Sequence, residues 1–219
     1  MKIERLLLLG GTGAVGKAAL AQALADIDIL QVIAPTRRAL PAHPKLINPL
    51  LDFDNLPLRY DGASLALQQA FTCDAVVCAL GTTLKQAGSK AAFNAIDHDL
   101  VLSLARLAQA GGAQHFALNS SLGANANSSF YLRTKAAVEK ALLGMGFART
   151  VIVRPSLIDS DRQGQRPMEH LGVMVMRFAR PLIPARYRAV TPEAIAHGLL
   201  AGVKNNTPGV VFVESEALQ

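Results

Sequence analysis

Glycines at positions 10, 13 and 16 of the run Gly10-Gly11-Thr12-Gly13-Ala14-Val15-Gly16 follow a short apolar stretch and open an alanine-rich one. That order reads as a strand, a tight turn and a helix. A turn so sharp needs residues without a Cβ, and a helix starting there presents free N–H groups and a positive dipole end to an anion. A pyrophosphate has the matching charge, so the segment predicts dinucleotide binding through Gly10, Thr12, Gly13, Ala14, Val15 and Gly16. A second constellation is Tyr131-Leu132-Arg133-Thr134-Lys135, whose spacing sets Tyr131 and Lys135 on one face of a helix. Tyrosine, with an ordinary pKa of about 10, transfers protons poorly at neutral pH, and a neighbouring ammonium favours its phenolate. Such a pair can give a proton to a carbonyl oxygen. The serines Ser120 and Ser121 lie just upstream, at the end of a predicted strand.

Cofactor choice is written after the second predicted strand, where an NAD-type site places Asp or Glu on the ribose 2′-hydroxyl. Here the stretch is Ala34-Pro35-Thr36-Arg37-Arg38. A carboxylate would repel a 2′-phosphate. Arg37 can instead pair with it, and Arg38 can stack on the adenine or add a second contact. NADP(H) is therefore expected ahead of NAD(H), the alternative being two solvated surface arginines.

These residues need a scaffold, and the chain supplies alternating strands and helices. Strands are expected at Arg5 to Leu9, Ile29 to Ala34, Leu46 to Leu51 (the weakest), Asp74 to Leu80, His115 to Leu118 and Thr150 to Val153. Helices are expected from Gly13 to about Ala25, from Lys90 to Ala110 with Gly111-Gly112 as the stop, from Phe130 to Leu143, and from Pro192 to Val203. Such alternation implies a doubly wound, Rossmann-like, mostly parallel sheet with helices on both faces. Residues 1–219 are read as one domain, and 159–190 as a substrate-side insert forming a small C-terminal lobe.

The composition narrows the function classes. With 51% hydrophobic and 17% charged residues, the chain can bury a sizeable core and is not expected to be disordered. A net charge of +6 without interleaved aromatics or a recognisable motif argues against specific nucleic-acid binding. The run Leu6 to Leu9 is too short to span a bilayer and lacks the layout of a signal peptide, so a cytoplasmic location is expected. Cys73 and Cys78, at odd spacing on one predicted strand, should point to opposite faces as buried free thiols. The five histidines show no ligand spacing, and no metal site is expected.

Together, Gly10-x-x-Gly13-x-x-Gly16, Ser120-Ser121 and Tyr131-x-x-x-Lys135 resemble the short-chain dehydrogenase/reductase superfamily. Within it, Gly111-Gly112-Ala113-Gln114-His115-Phe116, Arg154-Pro155-Ser156 and Asp161-Arg162-Gln163 are similar to the atypical branch that includes the Tat-interacting oxidoreductase-like proteins. The resemblance implies that Tyr131 is the proton donor, that Lys135 holds the nicotinamide ribose and tunes Tyr131, and that Ser121, rather than Ser120, polarises the substrate carbonyl. It further implies that Asp52 and Phe53 lie at the adenine, that Ala79, Leu80, Gly81 and Thr82 line the ribose, and that Pro155 sits by the nicotinamide amide. Asp97 stands where many relatives carry Asn. Two functions follow as expectations: NADPH-dependent reduction of a small carbonyl substrate, or an NADP(H)-binding sensor that docks on a protein partner with little turnover. Either is compatible with a monomer or a homodimer.

Overall fold

The computed structural model describes residues 1–56, 64–159 and 183–219. Among them, seven strands make one sheet in the order β3-β2-β1-β4-β5-β6-β7, and every neighbouring pair is parallel. The strands are β1 (Ile3–Leu9), β2 (Ile29–Ile33), β3 (Leu46–Ile47), β4 (Ala75–Cys78), β5 (His115–Asn119), β6 (Arg149–Arg154) and β7 (Gly209–Glu214).

Continuous apolar runs mark strands buried on both faces, and β1 shows why. Leu6 and Leu8 enter one core layer with Val15, Ala19 and Ala23 of α1 (Ala14–Ala25) and with Ile195, Leu199 and Val203 of α7 (Pro192–Lys204). Leu7 and Leu9 enter the other layer, against α2 (Leu65–Phe71), α5 (Val101–Ala110) and α6 (Phe130–Leu143). Shifting this strand by one residue would exchange the two sets, so burial on both sides fixes its register less through polarity than through side-chain shape.

Several expectations are corrected. β3 covers two residues rather than six: Pro49 has no N–H to give a ladder, and pairing resumes only as the isolated bridge between Thr36 and Leu50. The helix expected from Lys90 to Ala110 is continuous but not uniform, with α4 (Lys90–Asn94) passing into a π-helical turn at Ala95–Leu100 before α5. Elements not anticipated are α2, the short α3 (Leu84–Ala87) and the edge strand β7. Cys73 and Cys78 are buried and free, yet both face the same core layer, because β4 begins only at Ala75 and strand alternation does not reach Cys73. Burial raises Cys73 to about 12 and Cys78 to about 11, which keeps both thiols protonated and inert.

Most of the expected insert, and with it the Asp161-Arg162-Gln163 motif, lies outside the described residues. Its flanks converge, since Ile158 bridges to Val190 in parallel.

Candidate functional site

Parallel strands put all their carboxyl ends on one side. β1 sits between β2 and β4, which is the switch point where a ligand crevice opens in such sheets. At that end lie Gly10 after β1, Ala79 after β4, Ser120 after β5 and Pro155 after β6.

The glycine turn is sterically exclusive. Gly10 has φ +84°, and a Cβ there would stand 2.7 Å from the backbone of Ala79. At Gly16 a Cβ would come within 1.9 Å of the Gly10 carbonyl oxygen. Gly13, by contrast, is exposed and its nearest neighbour to a Cβ is 3.6 Å away, so it serves the open side of the turn. Helices entered at Ser64, Thr83, Ser89, Ser129 and Thr191 all have a side-chain oxygen accepting a first-turn N–H. α1 starts at Gly13 with no side-chain cap and no acidic residue in its first turn. Its leading amides and dipole are therefore left for an anion, and the turn fits the pyrophosphate of a dinucleotide. Thr12, Gly13 and Ala14 are exposed around this end, whereas Val15 is buried in the core and offers only its backbone.

On β2's side, Arg37 and Arg38 are exposed, and their guanidinium groups have no hydrogen-bond or ion-pair partner among the described residues. Asp52 caps the short helical turn Phe53–Asn55, accepting from the Asp54 amide at 3.1 Å and from Asn55 Nδ2 at 2.7 Å. Phe53 packs partly buried against the core edge.

The second half of the site stands on α6. Lys135 and Asp97 are both buried, and Lys135 Nζ donates to Asp97 Oδ1 at 2.7 Å. Asp97 Oδ2 accepts from the Thr82 amide at 2.7 Å, which ties the loop after β4 to the lysine. Gly81 lies against this pair: a Cβ there would be 3.1 Å from Asp97 Oδ1 and 3.4 Å from Lys135 Nζ. Burial alone would lower the Lys135 pKa, but the charge of Asp97, followed by that of Tyr131 and by the direct hydrogen bond to Asp97, raises it above the ordinary value. Lys135 stays an ammonium. Its Nζ lies 5.8 Å from the centroid of the half-buried Tyr131 ring, which also packs 5.6 Å from Phe93. The Tyr131 hydroxyl has no hydrogen-bond partner among the described residues.

The serine pair divides. Ser120 is buried and its hydroxyl donates to Glu139, which is also paired with Arg154 at 2.6 Å; Arg154 reaches Glu214 at 3.1 Å and lies over the Phe212 ring at 4.5 Å. Ser121 is half-buried, and its hydroxyl makes only a long 3.5 Å contact to the Leu122 carbonyl. The Leu122 amide donates to the Pro155 carbonyl at 2.8 Å, so Ser121 and the buried Pro155 are drawn together at the ends of β5 and β6. Sequence reasoning missed Glu139 and named Arg154 only as part of a motif, without its partner, although Glu139 continues the four-residue spacing of Tyr131 and Lys135 along one helix face. Replacing Arg154 with Met leaves the buried Glu139 carboxylate without its ion partner, held only by the Ser120 hydroxyl, and is expected to cost roughly 3 kcal/mol, a fall in Tm of about 6–12 °C in thermal unfolding. A Tm unchanged within a degree would show the network to be dispensable.

A parallel sheet with a glycine turn at its switch point and a tyrosine–lysine helix beside it is the architecture of the short-chain dehydrogenases/reductases. A short-chain dehydrogenase family protein from Francisella tularensis has the same fold with TM-score 0.69 at 16% identity, covering 98% of both chains. The Bordetella bronchiseptica enzyme WbmH, solved with NAD+, superposes with TM-score 0.69 over 97% of this chain and 76% of its own. In sequence, the chain is 36% identical over 176 residues to protein HTATIP2 of Rattus norvegicus, covering 78% of this chain and 69% of the relative. It is 30% identical over 217 residues to the mitochondrial protein FMP52 of Meyerozyma guilliermondii, covering 95% and 91%. No family model matches. The chain belongs to the family of the HTATIP2 and FMP52 proteins, and its fold is that of a short-chain dehydrogenase family protein. No described helix is long and apolar enough to cross a membrane.

Proposed function

We propose that the chain is an NADPH-dependent oxidoreductase that reduces a small carbonyl compound. The observation that carries this reading is the charged Lys135, held by Asp97 in a buried position beside a tyrosine whose hydroxyl is free. When bound, the dinucleotide supplies the hydride to the carbonyl carbon. Tyr131 gives its hydroxyl proton to the carbonyl oxygen, and the ammonium of Lys135 stabilises the phenolate left behind. Ser121, the serine not consumed by the Glu139 network, donates a hydrogen bond to the same oxygen. Gly10, Thr12, Gly13 and the α1 amides hold the pyrophosphate, Ala79 to Thr82 flank the ribose, and Pro155 with the ends of β5 and β6 closes the nicotinamide side.

The reading of NADPH over NADH rests on the exposed, unpaired Arg37 and Arg38 and on the absence of an acidic residue from residues 34–38. Titrating the purified protein with each dinucleotide, followed by nicotinamide fluorescence, tests it. A charge-assisted contact to the 2′-phosphate contributes about 1.5–3 kcal/mol, so Arg37→Ala is expected to weaken NADPH roughly ten- to hundredfold and NADH little. Equal affinities in the parent protein would overturn the preference. Binding of neither dinucleotide would overturn the function.

A further inference from the structure

Two arginines on an exposed loop discriminate between dinucleotides most strongly when the loop is already in place as the ligand arrives. A mobile loop and two long, freely rotating side chains would lose much of the phosphate's attraction to ordering. Residues 36–40 are not left to order themselves. Asn48, directly after β3, donates from Nδ2 to the Ala34 carbonyl at 2.6 Å and to Thr36 Oγ1 at 2.8 Å, while its Oδ1 accepts from the Leu40 amide at 2.8 Å. One side chain thus clamps the loop on both sides of the arginines. The buried Thr36 passes the constraint on, its hydroxyl donating to the Arg38 carbonyl at 2.6 Å. The Thr36 amide donates to Pro49 O and its carbonyl accepts from the Leu51 amide, each at 3.0 Å, which pins the stem to the chain following β3.

We infer that Asn48, acting through Thr36, is the positioning residue that sets dinucleotide preference, by holding the Arg37–Arg38 loop in the conformation that receives a 2′-phosphate. The inference rests on the cofactor reading above and adds a residue that itself touches no ligand. NADH has no 2′-phosphate and gains from a pre-formed arginine loop at most the stacking of Arg38 on its adenine. Loss of the clamp therefore falls mainly on NADPH, whereas a merely structural asparagine would act on both equally.

Fluorescence titrations of the full chain with NADPH and NADH decide it. Asn48→Ala is expected to raise the Kd for NADPH about tenfold, the ordering cost of one or two arginine side chains, and to move NADH less than twofold. Thr36→Val, which keeps the shape but removes the hydroxyl, should follow Asn48→Ala, and Thr36→Ser should keep the parent's preference. Because Asn48 works through Arg37 and Arg38, adding Asn48→Ala to a variant with both arginines replaced by alanine should weaken NADPH no further. Equal loss for both dinucleotides, an unchanged ratio in both Asn48→Ala and Thr36→Val, or an additive effect in the combined variant overturns the inference. If alanine at both arginines spares the NADPH preference, the cofactor reading fails first and this inference with it. That outcome is distinct from an arginine-dependent preference that ignores Asn48.

Discussion

Tyr131→Phe is expected to lower kcat/KM for an accepted carbonyl substrate by about 10²–10⁴, the usual contribution of a positioned general acid, while leaving the Kd for NADPH within about twofold. The prediction is clean because the substitution deletes one oxygen. Phenylalanine keeps the ring that packs against Phe93, and the hydroxyl it removes has no partner among the described residues whose loss would disturb the fold. Neither α6 nor the Lys135–Asp97 pair depends on it. Rates of NADPH oxidation over a panel of small aldehydes and ketones, measured with parent and variant, provide the check. Unchanged turnover in the variant would remove Tyr131 from the chemistry whatever the fold. A parent that binds NADPH tightly but reduces nothing on the panel would favour the other function raised by the sequence, a cofactor-dependent sensor, and cofactor-dependent retention of a protein partner would then be the decisive experiment.

Local patterns in this chain were legible and distant partnerships were not. The glycine turn could be read because its constraint is short-range: a positive φ at Gly10 and an impossible Cβ at Gly16 act within seven residues. Tyr131 and Lys135 could be read because helical periodicity alone sets them on one face. The partner of Lys135 could not, since Asp97 is 38 residues upstream and reaches the lysine from a π-helical turn. A wider turn rotates the helix face relative to the regular 3.6-residue period, and sequence spacing does not announce where it falls. The division of labour between Ser120 and Ser121 needed Glu139, held by Arg154 across α6 and β6. β7 escaped notice because it lies on the sheet edge, where Val210 and Phe212 stay half exposed and the run does not read as a core strand. For the cysteines, the rule of alternation was sound but was applied across a strand start that the sequence does not mark.

Removing the Asp97 carboxylate should have the largest effect on stability. Asp97→Ala leaves Lys135 buried without its ion partner, and breaking such a pair costs about 3–5 kcal/mol, a fall in Tm of roughly 6–20 °C. The pH dependence gives the cause. In the parent, Lys135 is raised above the ordinary lysine value of 10.5, so its contribution is fully present below that value and disappears only as pH rises through the raised one. Without Asp97, burial prevails over the weaker pull of Tyr131 and Cys78, and the folded-state value drops below that of the unfolded chain. The unfolded chain then holds more protons, so the variant gains stability as pH climbs through that interval while the parent does not. Urea unfolding at pH 7 and pH 10 should show a deficit that narrows at the higher pH. Asp97→Asn removes the charge and leaves one acceptor oxygen, enough for the Thr82 amide or for Lys135 but not for both, so its deficit at pH 7 should be smaller than that of Asp97→Ala but narrow in the same direction. A deficit equal at both pH values would mean that Asp97 matters for packing and for the Thr82 loop, with the charge of Lys135 held by something else.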